Sequence, residues 1–419
     1  MDHLPQDSLA FSLLQAARTI TSVLAGESLA GGSLARVPES IRPAVQDHVY
    51  ACLRQFGLGD FLLARLLDRP LVDVEVRALL LVALARLEQR PESTHTVVDQ
   101  AVAASGYLAG GRCRALANAV LRAYLRQRQV LLGMAAADDV AANQHPGWWI
   151  ERLRSAFPDN WLAIVSAGNT PPPMALRVNR RNTTREDWLA TMTASGLTGK
   201  AMGENGVLLD RPVPVERLPG FAEGRVSVQD LGAQRAAMLL APAANSRVLD
   251  ACAAPGGKTA HLLENTDLDL LALDLKAARC RRIEANLQRL GLSATIRVAD
   301  CRQLEVWWDG QAFDAVLADV PCTASGVVRR HPDVKWLRRE SDIAAFAATQ
   351  SEILDALWQV VRSGGKLQYA TCSLFPEENG QQIGHFLART PDARRRLEEQ
   401  WLPDAQHDGF YYCLLEKTD

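Results

Sequence analysis

Two cysteines close apolar, β-prone runs: Cys322 in "FDAVLADVPC" and Cys372 in "KLQYATCS". A thiol at such an edge faces a ligand, and its thiolate is a strong nucleophile. A free thiol with a pKa of about 8.5 is only a few per cent ionised at neutral pH, so a reactive one needs help. For Cys372 that help is expected from a helix opened by "PEEN", with Pro376 in its first turn, because a helix N-terminus favours negative charge. Three acids end neighbouring runs: Asp274 after "LLAL", Asp300 after "ATIRVA" and Asp319 in "ADVPC". One strand-end aspartate is commonly only a cap. Three in successive strands, facing one crevice, point to a ligand.

The stretch "DACAAPGGKTAHLLE" (250–264) has the same character. Arg247 to Leu249 form a short β-prone run, Asp250 closes it, Pro255-Gly256-Gly257 turn the chain, and Thr259 to Glu264 read as helix. Strand, glycine-rich turn and helix N-terminus together bring backbone N–H groups against a ligand at the carboxyl end of a strand. The spacing is neither G-x-G-x-x-G nor a P-loop, so the glycines alone also fit an ordinary βα connection. Asp274 stands roughly 20 residues beyond the turn, where an acid usually holds ribose hydroxyls. With no phosphate-gripping motif, a nucleoside is the expected ligand rather than a nucleotide.

"SGVVRRHPDVKWLRRE" (325–340) places Arg329, Arg330, His331, Lys335, Arg338 and Arg339 around Trp336. Cations with an aromatic suit a nucleic-acid backbone track with a stacking platform. The plainer alternative is a solvated charged loop. The eight cysteines are scattered and form no C-x-x-C, which argues against zinc or a disulfide framework, and no metal is expected. Cys52, Cys113, Cys280, Cys301 and Cys413 read as small hydrophobes.

These residues must be positioned by a chain of 419 residues, long enough for two or three domains. With 48% hydrophobic and 22% charged residues it has a soluble globular composition, and no apolar run approaches the roughly 20 residues of a membrane span. "MDHLPQDSLAFSLLQAARTI" starts acidic and continues amphipathic, unlike a signal peptide, so a cytoplasmic protein away from membranes is expected. A net charge of −2 does not announce a nucleic-acid binder. Arginine nevertheless greatly outnumbers lysine, whose first occurrence is Lys200, and arginine is the better side chain for bases and phosphates.

Residues 1–135 read as all-α. "VEVRALLLVALARLEQ" (74–89) sets Val76, Leu79, Leu80, Ala83, Leu84 and Leu87 at helical spacing. "RALANAVLRAYLRQRQVLL" (114–132) does so with Leu116, Val120, Leu121 and Tyr124, leaving Arg122, Arg126 and Arg128 outside. Residues 135–148 read as a linker. Residues 145–238 form a small α+β connector, with a strand around Leu176 to Val178, a helix capped by Thr183 or Thr184, and further strands in "GVLLD" and "RVSVQD". Across 239–419 the strands "RVLDA", "LLALDL", "ATIRVAD", "FDAVLAD" and "KLQYAT" alternate with helices at 257–264, 276–290, 341–361 and 376–388, before a closing "FYYCLLEK". The alternation predicts a parallel α/β sheet with helices on both faces and a site at the strands' carboxyl ends.

"DACAAPGGKT", "DVPCTASGVVRRHPDVKW" and "YATCSLFPEEN" resemble the signature blocks of the bacterial ribosomal RNA cytosine-5 methyltransferases, the Sun/Fmu (RsmB) family. "HPGWW" with "PPPMALRVNR", "LPGF" with "VSVQD", and "DGFYYCLL" resemble the same family outside the catalytic core, and the helices with "NAVLR" (118–122) resemble its NusB-like RNA-binding domain. The resemblance spans essentially the whole chain. It implies a Rossmann-like class I methyltransferase domain at 239–419, monomeric, acting on C5 of a cytosine in small-subunit ribosomal RNA (cytosine 967 of 16S rRNA) with S-adenosylmethionine.

By the same resemblance, Cys252, Ala253, Ala254, Pro255, Gly256, Gly257 and Lys258 match the cofactor loop. Asp274 matches the ribose acid, Asp300 the acid near the adenine, and Asp319 the acid of the "DxPC" block, which also belongs to the catalytic set. Cys372 matches the nucleophile and Cys322 the cysteine of product release. Ala299 departs from the commoner glycine, putting a methyl group near the adenine. Cytosine C5 becomes nucleophilic when a thiolate adds to C6, and the base must be flipped or unpaired. Asp319 is placed to hydrogen-bond the N3/N4 edge. A non-catalytic RNA-binding assembly factor and a DNA cytosine-5 methyltransferase, which would use the cysteine of the "PC" block, are the competing readings. Transfer of labelled methyl to ribosomal RNA or to DNA separates them.

Overall fold

The computed structural model describes residues 4–419; residues 1–3, where the segment read as unlike a signal peptide begins, lie outside the described residues. Two compact units form, one of residues up to Thr170 together with Val328–Arg339, the other of Pro171–Val327 with Glu340–Asp419. Among the described residues, no helix is long and apolar enough to cross a membrane.

The first unit is helical, as expected. Its helix Val74–Gln89 is apolar all round, burying Val76, the run Ala78 to Ala85, and Leu87. Such a helix belongs at the centre of a bundle. Asp73 starts it by accepting a hydrogen bond from Val76 N at 2.9 Å. Helix Arg114–Ala135 is amphipathic, with Val120, Leu121 and Tyr124 buried and Arg122 and Arg126 exposed. Arg128 is not free on the outside, because it pairs with Glu88 at 2.7 Å.

The expected linker at 135–148 is instead mostly helical. Asp138 caps a helix at Asp139–Asn143 by accepting from Ala141 N at 2.8 Å, and Pro146 precedes another at Gly147–Ala156. Trp149, Ile150 and Leu153 give the latter an apolar face. Helix Trp161–Asn169 follows, and residues up to Thr170 pack in this unit.

The second unit contains two sheets. The smaller has strands β1 (Ala175–Val178), β2 (Gly199–Met202), β3 (Gly206–Leu209) and β4 (Val226–Val228) in the order β2-β3-β1-β4, every pair antiparallel. Helix Arg185–Ala194 covers it with Trp188 and Met192. Thr184, not Thr183, is the cap, accepting from Asp187 N at 3.1 Å.

The larger sheet comprises β5 (Arg247–Asp250), β6 (Asp269–Asp274), β7 (Thr295–Val298), β8 (Phe313–Asp319), β9 (Val361–Thr371), β10 (Ala393–Trp401) and β11 (Phe410–Lys417). The order is β10-β11-β9-β8-β5-β6-β7. The five strands β5 to β9 are parallel, and the strand order reverses beside β5, where α/β sheets open a crevice. The sheet is mixed rather than wholly parallel, because β11 enters antiparallel between β9 and β10. Strand β10, "ARRRLEEQW", was not anticipated: its charges blunt an exposed sheet edge.

The two sheets are fastened by buried charge. Arg177 of β1 is fully buried, and its Nε and Nη2 each donate to Glu264 at 2.7 Å. Its Nη1 donates to the carbonyl of Gly257 at 2.9 Å. Arg289 reaches back to the carbonyls of Phe221 at 2.7 Å and Val226 at 3.0 Å.

Candidate active site

The turn after β5 forms as its composition requires. Gly256 has φ +93°, and a Cβ there would stand 3.1 Å from Ile283, so a side chain meets both backbone and steric resistance. Gly257 then opens helix Gly257–Asn265. Asp250 is buried and accepts from Thr259 Oγ1 at 2.7 Å, tying the strand to that helix. Burial raises its pKa to about 7.

Asp274 ends β6, buried, with Ala254 N 3.3 Å from Oδ2 and Lys276 N 3.2 Å from Oδ1. Arg279 stands 3.4 Å from the same carboxylate and also donates to Ala254 O at 2.8 Å. Asp300, after β7, is gripped by Arg302 through Nε at 3.0 Å and Nη2 at 2.7 Å, and this pairing holds its carboxyl below the usual range. Cys252, Ala254, Asp274, Asp300, Asp319, Cys322 and Cys372 line one cavity of about 320 Å³. Ala253, Pro255, Gly256 and Gly257 shape the turn without lining that cavity.

Parallel neighbours β8 and β9 deliver the two cysteines. Their sulfurs are 3.4 Å apart. The hydrogen bond to Cys372, together with burial, pushes the Cys322 thiol well above its ordinary range. Lys258, grouped in the sequence with the cofactor turn, points instead to Asp319, with Nζ 2.6 Å from Oδ2. Burial disfavours its charge, but the Asp319 carboxylate outweighs burial, Cys372 adds to the effect, and the ammonium is stabilised.

The expected helix N-terminus beside Cys372 is not there. Pro376–Glu378 makes a single 3₁₀ turn, and the helix proper starts at Gly380. Asn379 breaks the run at φ −120°, ψ −112°, held by Thr371 Oγ1 donating to its Oδ1 at 2.6 Å and by its own Nδ2 donating to Ser373 O at 2.8 Å.

Segment 328–339 also departs from expectation. Arg329 and Lys335 are buried inside the helical unit rather than set along a track. Lys335 Nζ donates to Gln144 O and Asn169 Oδ1, both at 2.8 Å, and burial with the nearby Arg54 lowers its pKa to about 7. Trp336 donates to Leu53 O at 2.8 Å and packs on Phe56 with ring centroids 4.8 Å apart, so it is no open stacking platform. Arg330 and Arg338 are half-buried, while His331 and Arg339 are exposed.

Sequence reasoning missed three residues. Cys301, read as an inert hydrophobe, lines the cavity beside Cys252; the hydrogen bond to Cys301, with burial, pushes the Cys252 thiol well above its usual range. Arg177 supports the glycine-rich turn from the smaller sheet, and Glu378 lies behind the two cysteines. Long-range pairing makes both important, and no local pattern announces it.

The model of the 16S rRNA methyltransferase RsmB/F family matches residues 237–416, a RsmF/B-like ferredoxin-like domain matches 145–216, and the NusB family matches 9–126. A protein named ribosomal RNA small subunit methyltransferase B from Vibrio cholerae is 43% identical over 408 residues, 94% of each chain. One of the same name from Salmonella arizonae is 42% identical, covering 91% of this chain and 92% of its own. Among solved structures, PH0851 aligns with TM-score 0.76 at 22% identity over 99% of this chain and 100% of its own. A methyltransferase homolog from Pyrococcus horikoshii aligns with TM-score 0.60 at 25% identity, covering 67% of this chain and 98% of its own. The resemblance in the signature blocks is borne out: the chain belongs to the 16S rRNA methyltransferase RsmB/F family.

Proposed function

We propose that the protein methylates C5 of one cytosine in small-subunit ribosomal RNA, cytosine 967 of 16S rRNA by resemblance, with Cys372 as nucleophile. The observation that carries the reading is two sulfurs 3.4 Å apart at adjacent parallel strand ends, in the same cavity as Asp274. The residues present fit S-adenosylmethionine. The cavity of about 320 Å³ has apolar walls at Ala254, Leu275 and Ile353 for an adenine and an acid, Asp274, for a ribose, with Asp300 nearby. When bound, this cofactor supplies an electrophilic methyl group on sulfur.

The chain's own residues do the rest. The Cys372 thiolate adds to C6 of the cytosine, and the electrons pushed into the ring make C5 nucleophilic. Asp319, paired with Lys258 at 2.6 Å, accepts a hydrogen bond from the base's N4 edge. After C5 is methylated, a base takes its proton, the freed electron pair restores the C5–C6 double bond, and Cys372 leaves C6 as thiolate; Cys322, touching Cys372, assists this release. The helical unit contributes RNA affinity through exposed arginines such as Arg122 and Arg126. The protein acts as a cytoplasmic monomer.

Bisulfite sequencing of small-subunit rRNA from cells with and without the protein tests the reading. The expected result is one protected cytosine, at 967, that converts only when the protein is missing. An identical conversion pattern in both would contradict it.

A further inference from the structure

Behind the two cysteines lies a carboxylate that no part of the mechanism above uses. Glu378 is fully buried and lies outside the cavity lining. Its Oε1 accepts from Thr323 N at 2.8 Å and from Gln350 Nε2 at 3.2 Å. Its Oε2 accepts from Thr323 Oγ1 at 2.5 Å and from Ser373 Oγ. Thr323 follows Cys322 and Ser373 follows Cys372, so one carboxylate grips the residue immediately after each sulfur.

Burying a carboxylate is costly, and an apolar side chain of similar volume often serves a core at least as well. What an apolar group cannot do is bond directionally to two loops at once. Around Glu378 the same loops are stitched further. Ser325 Oγ lies 3.2 Å from Ser373 Oγ and accepts from Leu374 N at 2.7 Å, and Gly326 N donates to Cys372 O at 2.8 Å. Gln350, which orients Glu378, also donates to Pro321 O at 3.0 Å.

We infer that Glu378 is the positioning residue that sets the spacing of Cys322 and Cys372, joining the loop after β8 to the loop after β9. Its consequence for turnover rests on the cysteine mechanism proposed above, whereas the spacing itself does not. A sulfur moved by about 1 Å from its attack position can lose about 100-fold in rate.

The spacing is read directly by oxidation with diamide. The two thiols give up two electrons and two protons, diamide takes them up to become the hydrazine, and a Cys322–Cys372 disulfide forms, which peptide mapping by mass spectrometry identifies. The unaltered protein is expected to form this link readily. Glu378→Ala should form it at least about tenfold more slowly, because disulfide geometry is narrow. Glu378→Gln, around which the hydroxyls of Thr323 and Ser373 can rotate, should stay within about threefold. In parallel, Glu378→Ala should lose about 100-fold in kcat with S-adenosylmethionine affinity unchanged, and Glu378→Gln should recover most of it.

A folded Glu378→Ala protein that cross-links at the original rate overturns the inference. If Glu378→Ala does not fold, Thr323→Val decides, since it removes one hydroxyl bridge without changing shape; slower linking upholds the inference and an unchanged rate overturns it. Slowed cross-linking with unchanged turnover upholds the spacing role and contradicts the cysteine mechanism instead.

Discussion

The crevice at the ends of β5 to β9 and the segment Val328–Arg339 are both rich in charged side chains, and they use that charge in opposite ways. In the crevice, Lys258 with Asp319 and Arg279 with Asp274 are paired beside a cavity, leaving carboxylate edges open to a ligand. In the segment, Lys335 spends its donors on Gln144 O and Asn169 Oδ1, and Asp333 accepts from Ser28 Oγ at 2.9 Å and Leu29 N at 3.0 Å. A charged residue reads the same along the sequence in both. What separates a site from an internal brace is whether the charge borders a cavity or is buried against fixed backbone and side-chain partners.

Removing the Cys372 thiol should have the largest effect on the crevice. Cys372→Ala should lower methyl transfer at least about 10³-fold while S-adenosylmethionine binding, measured by calorimetry, is kept. An intact rate would move the chemistry elsewhere in the crevice. Asp274→Ala should weaken the cofactor by about 1.5–3 kcal/mol, the size of a hydrogen bond to a charged group. Unchanged affinity there would remove the acid from the ribose site.

On the other side, Lys335→Ala strands two half-buried acceptors, and the helical unit should lose about 1–3 kcal/mol of stability in chemical denaturation. Below its unfolding transition, the salt dependence of its RNA affinity should stay as it was, whereas Arg126→Ala should reduce that slope by about one phosphate contact. A Lys335 variant with a reduced slope would restore the segment as an RNA track.

Smaller effects appear in the pH dependence, with opposite signs. Asp250 is raised from 3.8 to about 7, so its stabilising contribution is full below 3.8 and is lost as pH rises through about 7. Lys335 is lowered from 10.5 to about 7, so its contribution is full above 10.5 and is lost as pH falls through about 7. Melting curves should therefore show Asp250→Asn flattening the acid-side slope and Lys335→Met flattening the alkaline one. The same slope in variant and parent would contradict the burial argument.

The crevice was legible because strand, turn and helix are local: Asp250, Gly256 and the helix that follows specify one another within a few residues. The sheet's parallel core followed from the same alternation. Its edge did not, since the charges of β10 read as surface and its antiparallel partner β11 arrives from the end of the chain. The Asn379 break was hidden because Thr371 and Ser373 impose it through folded contacts. Glu378 and Arg177 were silent because their partners lie 55 and 87 positions away. The segment 328–339 was misread for the same reason, with Lys335 and Trp336 bonded to groups 191 and 283 positions distant.

In the proposed reaction Cys372 bonds to the base and Cys322 helps release it. A denaturing gel of each cysteine variant, incubated with small-subunit rRNA and S-adenosylmethionine, tests this directly. A protein–RNA adduct should accumulate with Cys322→Ala and be missing with Cys372→Ala. An adduct that persists with Cys372→Ala and vanishes with Cys322→Ala would contradict it and exchange the roles of the two sulfurs.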